Sequence, residues 1–187
     1  MDKKKKTTNY HISFETLVLK PIFKENKMST QVIEQKQELL VYEKPKSIVV
    51  RSLKYYGNTL KNAVILSKEK LGDRHKTPII VAHDFGVPFI FLPTMSPRSP
   101  HNVWISLHGI DDIVPDEMGC IVHLINGTNI KLNASTTTMH RQFTFGVLLE
   151  KEFQKKQRRL NRPFFYQQPD IQRKNDDKEE DDDKKES

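Results

Sequence analysis

The stretch from Pro78 to Ser106, PIIVAHDFGVPFIFLPTMSPRSPHNVWIS, constrains the fold more than any other part of the chain. Two apolar runs, Ile79-Ile80-Val81 and Phe89-Ile90-Phe91-Leu92, flank the polar turn His83-Asp84-Phe85-Gly86. β-Branched and aromatic residues suit a pleated, buried surface, and Gly86 can take positive φ at little cost. The pattern predicts a β-hairpin with both strands buried. After Leu92 comes a loop punctuated by Pro93, Pro97 and Pro100, with Arg98 in its middle, and the chain re-enters the core at Trp104, its only tryptophan. A rigid loop carrying one Arg between two core strands is unusual for a mere connector. It is the first place to look for a binding site.

Around this centre the remaining elements can be read in order. Tyr10-Ile12-Phe14 and Leu17-Val18-Leu19 predict two short strands, the second at a sheet edge because Pro21 follows it. Lys24 to Ser29 reads as a loop. Thr30 to Glu34 and Glu38 to Tyr42 read as strands, although their Gln, Glu and Lys content leaves helix open. Ser47 is placed to cap a helix over Ile48 to Tyr56 that stops at Gly57, with Arg51 and Lys54, three apart, projecting together from its outer side. Asn58 or Thr59 begins a second helix across Ala63 to Leu71, ended by Gly72. Trp104 to Ile113 alternates as one strand. Cys120 to Ile125 and Asn129 to Leu132 form a hairpin around Asn126-Gly127, a pair that favours the two-residue type I′ turn. From Thr136 or Thr137 a long helix runs to about Leu160, with Gly146 a point of interruption and Arg162-Pro163 its end. The sum is a single α+β domain with an antiparallel β core, a short helical segment in the N-terminal half and a long C-terminal helix packed on the sheet. Residues 1–9 are expected to be a disordered basic N-terminus, 10–169 the domain, and 170–187 a disordered acidic tail.

Charge and chemistry then narrow the function. Residues 174–187 hold eight acids and four lysines. The rest of the chain keeps 27 basic and 16 acidic residues, a net of +11. A strongly basic body points to a polyanionic partner, although surplus lysine on its own more often serves solubility. The lone Cys120 rules out a disulfide framework and suits a small buried hydrophobe. No apolar stretch approaches the ~20 residues that cross a bilayer, so a cytoplasmic protein without a membrane partner is expected. The seven histidines lack metal-ligand spacing, and no phosphate-binding glycine loop or nucleophile elbow is present. Asp111-Asp112 and Asp116-Glu117 are adjacent pairs that point to opposite faces of a strand. Neither an enzyme nor a cofactor is expected.

What remains is basic side chains at three places: the helix after Ser47, the Arg98 loop, and the distal half of the last helix. Such residues bind phosphates with salt-dependent, sequence-blind affinity. For the Lys155 to Arg162 run a plain solvated face is about as good a reading. Arg98 is more specific, because a proline-held Arg suits a narrow A-tract minor groove, where the negative potential is enhanced.

The blocks Ile48-Val49-Val50-Arg51-Ser52-Leu53-Lys54-Tyr55-Tyr56-Gly57, Thr77-Pro78-Ile79-Ile80-Val81, and Phe91-Leu92-Pro93-Thr94 leading to Trp104-Ile105-Ser106-Leu107-His108 resemble the ComK-type competence transcription factors. The Asn126-Gly127 hairpin and the helix with Gln142 continue the likeness, which covers roughly Tyr10 to Phe153. The resemblance implies a nucleoid-associated activator of DNA-uptake genes that binds double-stranded, AT-rich boxes through the minor groove as a homo-oligomer. It also implies control by a protease adaptor, for which Phe164, Phe165, Tyr166 and Pro169 resemble the family's aromatic motif, here followed by an acidic tail. Arg51, Lys54, Lys61, Arg98 and Arg141 are the expected DNA contacts. The rival reading is a truncated paralogue that works as a protein-interaction module. Nonspecific RNA binding through the basic helix lacks the exposed aromatic platform of single-strand binders.

Overall fold

The computed structural model describes residues 5–7, 9–24 and 27–165, with side chains for 9–24 and 27–160. In chain order the elements are β1 (Lys5–Thr7), β2 (Thr16–Lys24), β3 (Lys27–Glu34), β4 (Glu38–Val41), α1 (Pro45–Tyr55), α2 (Leu60–Leu71), β5 (Ile79–Asp84), β6 (Val87–Pro93), β7 (Trp104–Ser106), β8 (Ile110–Asp116), β9 (Gly119–Leu124), β10 (Asn129–Leu132) and α3 (Thr136–Phe165). Seven strands form one sheet in the order β1-β4-β3-β2-β7-β6-β5, and β10-β9-β8 form a second. Every pairing is antiparallel except β1 with β4, which brings Lys5–Thr7 into the sheet from a segment expected to be disordered.

The large sheet is the middle layer, because its central strands alternate apolar side chains to both faces. Leu19, Val32, Phe91 and Trp104 meet Ile48, Val49 and Leu53 of α1 and Ala63 of α2. On the opposite face Val18, Ile33 and Ile105 meet the small sheet through Ile113, Val122, Leu124 and Ile130, and α3 through Met139. Further along, Ile90, Leu92 and Leu107 pack on Leu149 of α3. The α+β class and the long C-terminal helix are as the sequence predicts.

Several local expectations are corrected. Tyr10 to Phe14 joins no ladder; it is an extended segment held by the Ile12 N–H donating to Ser52 Oγ at 2.9 Å and Tyr56 Oη donating to the Ile12 carbonyl at 2.8 Å. β2 is a nine-residue inner strand that contains Pro21. The proline is tolerated because β7 pairs only with Val18 and Leu19, which leaves the flank beyond them without a neighbour. Within the expected loop at Lys24 to Ser29, Lys24 and Lys27 to Ser29 are strand, since β2 and β3 stay paired as far as Lys24 and Lys27; residues 25 and 26 lie outside the described residues. α1 begins at Pro45 with Lys44 as its cap, not at Ser47, because proline's fixed φ and missing N–H suit the first helical position.

Three more differences lie in the second half. Trp104 to Ile113 is not one strand: a 3-10 turn over Leu107–Gly109 breaks it and sends the chain from the large sheet to the small one. The β9–β10 connection is a three-residue loop, Ile125 to Gly127, closed by Leu124 N–H to Thr128 O at 2.9 Å. Only Gly127 in it has positive φ, so it is a type I turn with a left-handed third residue, not type I′. The two-residue primed turn occurs instead at Phe85-Gly86, where both φ values are positive. Finally, α3 neither breaks at Gly146 nor ends at Pro163. A Cβ at Gly146 would lie 2.8 Å from Leu107 Cδ1 and from Leu92 Cδ2, so the missing side chain lets the helix seat on the sheet. That close packing offsets the ~1 kcal/mol propensity cost of glycine.

Candidate nucleic-acid interface

The Arg98 loop has a rigid base and an open tip. Thr94 and Val103 close it twice, through the Thr94 N–H to the Val103 carbonyl at 3.0 Å and the Val103 N–H to Thr94 Oγ1 at 3.1 Å. Asn102 is buried, and its Oδ1 accepts from the Met95 N–H at 2.8 Å. Within the loop the Ser99 N–H reaches the Ser96 carbonyl at 2.8 Å. Pro97 and Pro100 fix two further φ angles. Arg98 itself is exposed, and among the described residues no hydrogen-bonding or ionic partner holds its guanidinium.

Topology places other cations at the same end of the large sheet. β6 ends and β7 begins at this loop, and on the next strand the paired tip of β2 and β3 carries exposed Lys24 and Lys27. The Phe23 ring lies 4.9 Å from the His101 imidazole, which joins the tip to the loop. On the other flank β5 begins with Ile79 paired to Phe91, so the preceding Gly72 to Lys76 segment reaches the same end. There Arg74 stacks on Phe145 of α3 at 4.0 Å, and Gln142 Nε2 donates to the Lys76 carbonyl at 3.1 Å. Exposed Arg141 sits next to Gln142 and is carried to this flank. From β3 to β5 is four strand spacings, roughly 19 Å, of predominantly basic edge.

Two of the described acids at this end are engaged internally. Glu43 pairs with Arg51, and Asp73 pairs with Lys68, whose ammonium holds the Asp73 carboxyl below the usual carboxylate range.

The expected contacts therefore do not form one cluster. Arg98 and Arg141 share the end just described. Lys54 and Lys61 are exposed on either side of the α1–α2 turn, and α1 starts at the Arg98 end, so they lie toward the opposite end. Arg51 does not project with Lys54. Its Nη1 donates to both Glu43 oxygens at 2.6 and 2.5 Å, and its Nη2 to the Tyr10 carbonyl at 2.6 Å. Sequence reading missed Lys24, Lys27, Arg74 and Lys76. For the two lysines the signal was present: two β-prone runs, Lys20 to Lys24 and Lys27 to Glu34, are separated by only two residues. Phe164 and Phe165 lie in the helical backbone of α3, but their side chains, together with Tyr166 and Pro169, fall outside the described residues.

A groove of about 320 Å³ lies between α2, β5 and α3, lined by Leu66, Ile80, Ala82, His83 and Phe153. His83 is near the far end of β5, away from the Arg98 loop. Among the described residues no three His, Cys, Asp or Glu are grouped to hold a metal ion, and no helix is long and apolar enough to cross a membrane.

Comparison with known proteins gives a family. A curated relative, the competence transcription factor of Bacillus subtilis (strain 168), is 26% identical over 149 residues, covering 79% of this chain and 77% of its own. No solved structure matches. The family model described as ComK protein matches residues 7–158, a span that takes in all three core clusters and the whole Arg98 loop. The chain belongs to the ComK family.

Proposed function

We propose that this protein is a competence-related transcription regulator that binds double-stranded DNA, reading AT-rich boxes through the minor groove with Arg98. The observation that supports this most directly is the Arg98 loop: an unpartnered guanidinium on a doubly closed base, at the centre of a basic sheet end. An Arg that is not spent on an internal partner can enter the narrow groove of an A-tract, where the potential is most negative. Lys24, Lys27, Lys76 and Arg141 flank it as phosphate contacts, which add affinity and fix register without reading sequence. Lys54 and Lys61 serve a more remote stretch of backbone, and Arg51 supports the scaffold. Activation of DNA-uptake genes, assembly as a homo-oligomer on paired boxes, cytoplasmic and nucleoid location, and control by a protease adaptor through Phe164 to Pro169 belong to the same proposal. No catalytic role or cofactor is assigned.

The test is binding of the purified protein to a duplex carrying two spaced AT boxes, against a GC-rich control, over a salt series. Preference for the AT duplex at physiological salt supports groove reading. Equal affinity for both duplexes, falling steeply with salt, removes it. Absence of binding moves the function to the protein-interaction reading.

A further inference from the structure

The β2–β3 hairpin continues past both of its neighbours. On one side β7 stops at the partner of Leu19, and on the other β4 stops at the partner of Thr30. Lys20 to Lys24 and Lys27 to Ser29 therefore pair only with each other, a two-stranded ribbon about 16 Å long at ~3.3 Å per residue, exposed at Phe23, Lys24 and Lys27 and half-buried elsewhere. Strand alternation divides its side chains. Lys20, Ile22, Lys24, Lys27 and Ser29 share one face, and Pro21, Phe23, Met28 and Thr30 share the other. Phe23 sits opposite Met28 and is 51% exposed, although it touches His101 of the Arg98 loop. Phe23 is one of several exposed apolar side chains, Phe85 and Met118 more so, and what marks it is its place beside lysines on a ribbon whose flanks have no strand neighbour, where a partner can cover it. Three lysines against one acid, Glu25, in residues 20–29 favour a polyanion as that cover.

We propose that this ribbon is a second DNA-contacting arm, with Lys24 and Lys27 on backbone phosphates and Phe23, backed by Met28, set against a base step as an apolar wedge. This rests on the DNA-binding reading above. It adds to that reading where the second contact lies and what it does to the duplex. Two-stranded ribbons fit DNA grooves, and Phe or Met side chains pressed between base steps unstack them and bend the helix. The Phe23–His101 contact fixes the arm's position relative to Arg98, so the wedge and the groove-reading Arg act at a set spacing.

The experiment compares the full chain with three variants on the AT-box and GC-rich duplexes, measuring the salt dependence of affinity and the bend by energy transfer between end-labelled dyes. The altered side chains are exposed, and thermal melting at the parent temperature verifies the fold. Lys24→Ala combined with Lys27→Ala is expected to reduce the salt slope by about two on both duplexes and to leave the AT preference in place. Phe23→Ala is expected to lose the bend, and Phe23→Leu to keep it, because Leu still wedges but no longer stacks on His101. An unchanged salt slope overturns the phosphate contacts. A bend that persists in Phe23→Ala, or that is lost equally in Phe23→Leu, overturns the wedge and reduces Phe23 to a prop for the loop. If the parent prefers AT boxes and the variants match it, the arm fails and the Arg98 reading stands. If the parent binds neither duplex, both fail.

Discussion

Two arginines, 47 residues apart, show how differently a basic side chain can be used. Arg51 projects from α1 into a ready-made clamp of the Glu43 carboxylate and the Tyr10 carbonyl. Its charge is neutralised within the molecule, and it ties the extended segment around Tyr10 to the β4–α1 connection. Arg98 stands on a loop closed at its base by Thr94, Val103 and the Asn102 Oδ1, and none of these reaches the guanidinium, which has no partner among the described residues. Both side chains stand on hydrogen-bonded backbone, yet the first arginine is engaged internally and the second is available. Positive charge in a sequence is thus a poor guide to a binding site until its internal partners are known.

Mutations can break this contrast. The largest effect on stability is expected from Arg51→Ala, which leaves the half-buried Glu43 carboxylate without its cation and the Tyr10 carbonyl without its donor. Charge-assisted hydrogen bonds of this kind contribute ~2 kcal/mol, and chemical denaturation should show a loss of that order. A loss of DNA affinity with no change in stability would instead make Arg51 a contact residue. Arg98→Ala should leave the denaturation midpoint unchanged and weaken AT-box binding about tenfold, ~1.4 kcal/mol, with less effect on the GC duplex. Equal weakening on both duplexes would reduce Arg98 to a phosphate contact.

A smaller effect tests the anchor of the Arg51 clamp. The Tyr10 hydroxyl donates to Glu34 Oε1 at 2.7 Å and lies 2.5 Å from Thr16 Oγ1. Burial first, and the bond to Glu34 second, push its pKa far above the ordinary tyrosine value, so the hydroxyl keeps its proton as a donor. Tyr10→Phe should cost ~1 kcal/mol without altering DNA binding. A loss as large as that of Arg51→Ala would mean that the two residues act as one unit. The smallest effect expected is from deleting residues 174–187, whose net charge of −4 competes with phosphate for the basic body. Affinity should rise modestly at low salt and the gain should vanish at high salt; no change at low salt would make the tail inert.

The sequence made the scaffold legible where local chemistry and tertiary packing agree. The hairpin around Phe85-Gly86, the Thr59 cap and Gly72 stop of α2, and the burial of Trp104 could all be read from residue type and spacing. It failed where a distant partner decides. Pro21 marks an edge only beyond Leu19, because β7, more than 80 residues later, happens to stop there. Gly146 looked like a helix breaker, and it is instead the contact that lets α3 approach Leu92 and Leu107. In the candidate site, the exposure of the Arg98 loop could be read from its prolines, whereas the internal engagement of Arg51 needed Glu43 and Tyr10 to be seen beside it.

The 3-10 turn at Leu107–Gly109 has a kinetic meaning as well as a topological one. Because the chain leaves the large sheet there, β8, β9 and β10 form a meander whose pairings all fall within residues 110–132. The large sheet must instead join Leu19 to Trp104 across 85 residues before its two halves become one. Closing a long loop costs more entropy than closing a short one, so the meander is the unit that can form early. The seam between β2 and β7 is the late step, and it is the same seam from which the ribbon and the Arg98 loop emerge. The last bonds made in folding are thus the ones that set those two elements side by side, so amide exchange at Val18, Leu19, Trp104 and Ile105 is where loosening of the interface would be read out.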